Sequence, residues 1–338
     1  MLEIEFRRAR KLAVLGFFGA LLLLFALLFV PSAPLFAEDM PEEQQSAASL
    51  GVALSPVYLD TYTNFDMTLE AGSTYGGENG TPCGKRDGEN GCAFTVINKG
   101  QKDFVANISV EPYSMTDENY EISSNQATSR TELAKWIKFE RTKYILKSGE
   151  ELSIPFSITV PEGVAGGGQY AIIYVYAEGQ NAAGGMEVGS RLGLPVFARI
   201  NGETRTKVNV EKTDIKGFLL KPPITATSLV NNTGNVDVVA EYKLEVKNLF
   251  GKMVYEYSRG GHIMPETPRK VELVWEDTPS IGIFKVKQEV ILYLDDETQG
   301  ATMEKTVVVI PIWFLILAPL LVAGFVIVVV ARRKMSKQ

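Results

Sequence analysis

Over residues 152–160 apolar and polar positions alternate one for one, with Leu152, Ile154, Phe156, Ile158 and Val160 set against Ser153, Pro155, Ser157 and Thr159. A period of two is the mark of a strand with one buried face. The run ends at Pro161 and passes through a turn over 162–169 that holds four glycines. It resumes over 170–176 with β-branched and aromatic residues. The prediction is strand, corner, strand. Pro155 has no N–H to donate, so its strand is expected at a sheet edge or bulged.

The same reading predicts further strands over 52–59, 66–70, 93–98, 104–111, 136–139 and 192–200, with a helical turn over 126–133. Eight short strands separated by turn residues make a sandwich or barrel. Residues 202–311 repeat the arrangement. TVINKGQKDFVANISVEP lies against SLVNNTGNVDVVAEYKLEV, and the stretch from Tyr144 lies against that from His262, which sets Phe284 in the place of Tyr170. The fold expected is therefore an all-β ectodomain of two tandem immunoglobulin-like β-sandwiches, 51–201 and 202–311. Tyr170 stands where such folds place a corner tyrosine whose hydroxyl ties down the turn.

The two ends carry a different pattern. FRRARK, an apolar run over 12–30 and then PSAPLFA make residues 1–37 a secretory signal cleaved after Ala37, or else an uncleaved anchor. Residues 38–50 are polar and acidic without a period, a flexible lead-in. Residues 312–331 carry no charge, and as a helix they would rise about 30 Å, enough to cross a bilayer. The basic tail 332–338 then marks the cytoplasmic side. A single-pass protein of the cell membrane is expected, with its ectodomain outside and the second sandwich directly on the bilayer.

Charge and chemistry narrow the function. Cationic ends, +2 over 1–37 and +4 over 312–338, leave −12 for the middle of a chain whose net charge is −6. Such a body is a poor partner for nucleic acid. The one histidine, His262, excludes histidine-rich metal sites, and its setting RGGHIMPETP reads as a surface loop. No cofactor is expected. Cys83 and Cys92, the only cysteines, flank a glycine-rich polar loop and are expected to form a structural disulfide. Asp295, Asp296 and Glu297 read as an exposed acidic turn. Tyr170, Ile172, Tyr174 and Tyr176 share one strand face. If the opposite, smaller set is buried, the tyrosines Tyr170, Tyr174 and Tyr176 form a ligand-facing row for sugar rings or partner proteins; if the tyrosines point inward, they are core.

The order of these pieces resembles a known family. VALSPVYLD opens the exported part, an Asn-x-Gly turn follows FTVIN, and AKWIKFERTKYILKSGEELSIPFSITVPEGVAGGGQYAIIYV comes next. A second sandwich with VNNTGNVDVVAEYKLEVKNLFGKMVYE and one membrane helix with a basic tail complete it. Over most of residues 51–338, and most closely over 136–176, the chain resembles the WxL-interacting proteins of Gram-positive cell surfaces. The resemblance implies a peptidoglycan-binding first domain, a second domain that contacts other proteins, and assembly with secreted partners on the wall. The reading is of a non-enzymatic, membrane-anchored surface protein that recognises cell-wall glycan, a secreted surface protein, or both. The alternative is a chaperone-like assembly module that donates or accepts a strand. A wall hydrolase ranks last, because no nucleophile and base pair stands out.

Overall fold

The computed structural model describes residues 51–60, 67–77, 80–83, 92–123, 127–179, 189–294 and 298–335. The expected signal and lead-in, 1–50, and the acidic turn of Asp295, Asp296 and Glu297 lie outside these residues.

The first sandwich begins with β1 (Val52–Ser55), β2 (Thr68–Leu69), β3 (Thr74–Gly76), β4 (Ala93–Asn98) and β5 (Phe104–Pro112). A short hairpin, β6 (Ser114–Met115) and β7 (Ile122–Ser123), and one helical turn, α1 (Leu133–Trp136), follow. The remaining strands are β8 (Ile137–Lys138), β9 (Lys143–Leu146), β10 (Glu151–Pro155), β11 (Ser157–Thr159), β12 (Gly167–Gly179) and β13 (Ser190–Ile200). One layer has the order β1-β4-β10 and the other β2-β13-β12-β5-β9, with a small sheet β3-β11-β8 beside them.

The alternating run over 152–160 keeps its buried face throughout but changes partners at its middle. β10 pairs with β4 as far as Pro155 opposite Ala93, at the edge of its sheet, where a missing N–H costs nothing. Phe156 donates to Cys92 O at 2.8 Å, and β11 then joins β3 and β8. One predicted strand is thus two strands in two sheets. The helical turn also sits later than its predicted span of 126–133, because the side chain of Thr131 accepts from Thr128 N–H at 2.8 Å and holds the preceding segment as a turn.

The second sandwich consists of β14 (Val208–Ile215), β15 (Phe218–Leu219), β16 (Ile224–Asn232), β17 (Val238–Asn248), β18 (Met253–Ile263), β19 (Arg269–Trp275), β20 (Gly282–Tyr293) and β21 (Thr298–Val309). Its layers are β14-β16-β19 and β15-β21-β20-β17-β18. These orders match β1-β4-β10 and β2-β13-β12-β5-β9 strand for strand, down to the two-residue parallel strand on the rim of each larger sheet. The repeat read in the sequence corresponds to two sheet sets of one topology.

Each sandwich has its own core. In the first, Phe94, Val96, Phe104, Ala106, Ile154, Ile158, Ile173 and Val175 close on one another. In the second, Tyr242, Leu244, Leu273, Trp275, Phe284 and Val286 do so, with Trp275 meeting Phe284 edge to face at 5.2 Å between centroids. A third, smaller cluster of Tyr113, Tyr170, Ile172, Phe197 and Met264 belongs to neither core. The last element, α2 (Ile312–Met335), is a 24-residue helix, uncharged as far as Ala331, with none of its most hydrophobic window buried. Such a helix is long and apolar enough to cross a membrane.

Candidate functional site

The third cluster marks the junction of the two sandwiches. Along β12 the small set Ala171, Ile173, Val175 and Ala177 fills the first core, so the tyrosine-bearing face looks outward from that sandwich. Tyr170 is nevertheless buried, because the second sandwich covers it. Its hydroxyl lies 3.4 Å from Asp237 Oδ1, next to the start of β17, so it reaches across the junction instead of tying its own turn. Burial pushes the phenol well above its ordinary value. Further along the strand Tyr174 is half-buried under Arg191, whose guanidinium sits 3.5 Å from the ring centroid and pairs with Glu111 at 2.7 Å. Tyr176 is 40% exposed. The three tyrosines share a face but have different surroundings.

His262, expected on a surface loop, is the next-to-last residue of β18 and is largely buried at the junction. The two glycines before it are strand residues; a Cβ on Gly261 would run into the Arg269 guanidinium, which donates to His262 O. Nδ1 of His262 lies 2.6 Å from Asp237 Oδ2 and Nε2 lies 3.1 Å from Asp60 Oδ2. Asp60 comes from the first sandwich, directly after the Leu59 bridge to Val196. Phe197 of β13 stacks on the imidazole at 3.8 Å and 9°, and Tyr58 meets it edge-on at 5.7 Å. Burial alone would lower the histidine's pKa, but the hydrogen bonds to Asp237 and Asp60 outweigh it and the value is raised.

In its protonated form the imidazole meets two buried carboxylates at once, with Nδ1 hydrogen-bonded to Asp237 and Nε2 within ion-pair distance of Asp60. Among the described residues no group of three His, Cys, Asp or Glu side chains is arranged to hold a metal ion. The cluster is a polar fastening between sandwiches.

Around it other groups complete the junction. Arg130 donates to Glu266 Oε1 at 2.8 and 3.1 Å and to Asn235 O at 3.0 Å. The β6–β7 hairpin reaches over as a clasp. Tyr120 at its turn accepts from Met264 N–H at 2.7 Å and donates to Thr267 O at 3.3 Å, with Arg269 over its ring, while Glu118 O accepts from Lys270 N–H at 2.6 Å. Sequence reading missed this whole set. Its signal, acids at the ends of otherwise apolar strands in VYLD and GNVDVV, is visible in the chain but does not say which cation they meet.

Among the described residues two surfaces stand out as places for a partner. The first is the outer face of β12 beside Tyr176. The second is the free side of β18, which is the edge of its sheet and pairs only with β17 among the described residues. That strand is 11 residues long, and from Met253 to Gly260 every residue but Tyr255 is exposed. An edge of this length displays unpaired N–H and C=O groups that another chain can take up. Cys83 and Cys92 stand apart from both surfaces, joined in a buried disulfide behind Gly76.

No family model matches the chain, and no curated protein matches it. Among solved structures it is similar to the E. coli chaperone DraB, at 13% identity over 75% of this chain and 97% of that one with a TM-score of 0.36. The YadV chaperone gives 11% identity over 75% and 99%, with a TM-score of 0.37. A chain of the Salmonella enterica SafA pilin and SafB chaperone complex gives 11% over 77% and 97%, with a TM-score of 0.36. The similarity is a distant one of mostly β, two-sandwich architecture, and no ligand is transferred from it.

Proposed function

We propose that this chain is a non-enzymatic, single-pass surface protein whose second sandwich takes up a strand from an exported partner along β18. The observation that supports this reading is the edge itself, 11 residues paired on one side only and mostly exposed. Main-chain pairing along such an edge supplies affinity, and alternate side chains such as Tyr257 and Arg259 supply selectivity. Helix α2 anchors the protein, the basic tail stays in the cytoplasm and both sandwiches are displayed outside. The assembly role read as the alternative in the sequence is thereby preferred to wall binding.

Wall glycan at the tyrosine row is the second reading, favoured by the outward aspect of Tyr174 and Tyr176 on the first sandwich. Arg191 already covers one face of Tyr174, which leaves Tyr176 as the open ring and makes a short platform for a sugar chain. Photo-reactive residues placed at Glu256 and at Tyr176 of the full chain, activated on intact cells, separate the two readings. Attachment of one dominant exported protein at Glu256 is the expected result. Wall fragments captured at Tyr176, with nothing at Glu256, would replace strand addition by glycan binding.

A further inference from the structure

The strand register brings three loops of the second sandwich to the end from which α2 departs. β15 pairs in parallel with the last residues of β21, Phe218 with Val308 and Leu219 with Val309, and Ile310 N–H donates to Leu219 O at 2.9 Å. Helix α2 starts at Ile312. The first residues of β20 lie on the other side of the same strand end, Gly282 opposite Val309 and Ile283 opposite Val308. β17 ends beside them with Asn248 opposite Phe284, so the β17–β18 turn is there too.

The exposed apolar side chains of this sandwich gather at that end. Phe250 is 92% exposed and Leu249 65%, at the tip of the β17–β18 turn. Phe218 and Leu220 are exposed on the segment after β14, and Ile281 and Ile283 at the start of β20. Met253 and Val254 follow the same turn, and away from this end only Tyr257 and Tyr293 are large, apolar and exposed among the described residues of the second sandwich. Burial against the protein explains none of them. Segments 216–223, 247–253 and 276–285 also carry five lysines, Lys216, Lys221, Lys247, Lys252 and Lys285, against Glu276 and Asp277.

We propose that this end of the second sandwich is a membrane-seated foot, with Phe218, Leu220, Leu249, Phe250, Ile281 and Ile283 sunk into the outer interface of the bilayer that α2 crosses. The inference rests on α2 spanning the membrane. Its occupant follows from continuity: the paired residue Val309 is separated from the helix only by Ile310 and Pro311, so the loops beside it meet the headgroup layer wherever the helix enters the hydrocarbon. The composition suits that layer, since aromatic and aliphatic side chains enter the acyl boundary while lysines lay their stems along it and hold their ammonium groups at the lipid phosphates. Trp313, in the first turn of α2, is of the type that anchors at this depth.

The test uses the full chain in vesicles of phosphatidylcholine and phosphatidylglycerol, with the native disulfide kept oxidised. Single cysteines at Phe250, Ile281, Tyr293 and Val326 are labelled with an environment-sensitive fluorophore, and part of the lipid carries a nitroxide quencher in its upper acyl chain. The expected result is a blue shift and loss of intensity at F250C and I281C as well as V326C, with Y293C unaffected. Quenching at V326C with neither F250C nor I281C responding would overturn the foot while leaving the anchor in place. An unquenched V326C would remove the anchor, and the foot with it. Equal quenching at Y293C and F250C would also overturn the proposal, because contact would then not be confined to one end.

Discussion

At the level of single residues the junction depends on the charge state of His262. Both ring nitrogens face carboxylates, Asp237 at 2.6 Å and Asp60 at 3.1 Å, while Phe197 covers one ring face, Tyr58 stands edge-on, and Arg269 binds the histidine's own carbonyl. Burial works against the cation and the two carboxylate hydrogen bonds work for it, with a raised pKa as the result. A group whose folded-state value lies above its unfolded value contributes stability that is complete below the unfolded value and fades as pH climbs through the folded one. For His262 the contribution is full below pH 6.5 and is lost above it, across the window up to the raised folded-state value. Thermal unfolding of the full chain in detergent should therefore give a midpoint that declines over that window. In His262→Gln, which keeps hydrogen-bonding groups but does not titrate, the decline should flatten. A wild-type midpoint that rises through the same window would contradict the assignment.

Among elements, the β6–β7 clasp and the Cys83–Cys92 disulfide each offer a test of what a small local tie contributes. Tyr120 sits in the clasp turn at φ 62°, a region non-glycine residues seldom occupy, and its hydroxyl both accepts from Met264 N–H and donates to Thr267 O. Tyr120→Phe leaves that N–H without its partner and should lower stability by about 1 to 3 kcal/mol in denaturant unfolding. A change within error would mean that the clasp lies open in solution. Opening the Cys83–Cys92 bond should cost roughly 2 to 3 kcal/mol on the chain-entropy account, seen as a lower unfolding midpoint with reductant than without. Identical midpoints would leave the disulfide without a stabilising role. The contrast between these elements shows what could be read in advance. Strands announced themselves by alternation, and Pro155 by its missing N–H. The clasp, within EPYSMTDENYEISS, has no period and takes its shape from partners more than a hundred residues away, as in the 144 between Tyr120 and Met264. For the same reason His262 reads as loop in its local context and as a buried cation only once Asp60 and Asp237 are beside it.

For the whole molecule, the contacts across the junction predict that the two sandwiches unfold as one cooperative unit although each has a separate core. Backbone bonds cross it directly, Gly168 N–H to Asn235 O at 2.7 Å and Lys270 N–H to Glu118 O at 2.6 Å, and the Asp60–His262–Asp237 set, Arg130 and Tyr120 add to them. The tryptophans are placed to test this, with Trp136 buried in the first sandwich, Trp275 in the second and Trp313 in the helix. Chains that keep only Trp136 or only Trp275 should report coincident denaturant transitions, which is the mark of a two-state unit. Adding Arg130→Ala with Tyr120→Ala should pull the two transitions apart, because each core then unfolds on its own. Separate transitions in the unaltered junction would show that the sandwiches are merely tethered. Coupling also bears on the proposed strand uptake. β18 carries the free edge along most of its length and His262 at its far end, so a partner strand that rigidifies β18 reinforces the contact with Asp60 of the first sandwich. Binding at the second sandwich should then raise the unfolding midpoint reported by Trp136 as well as that reported by Trp275.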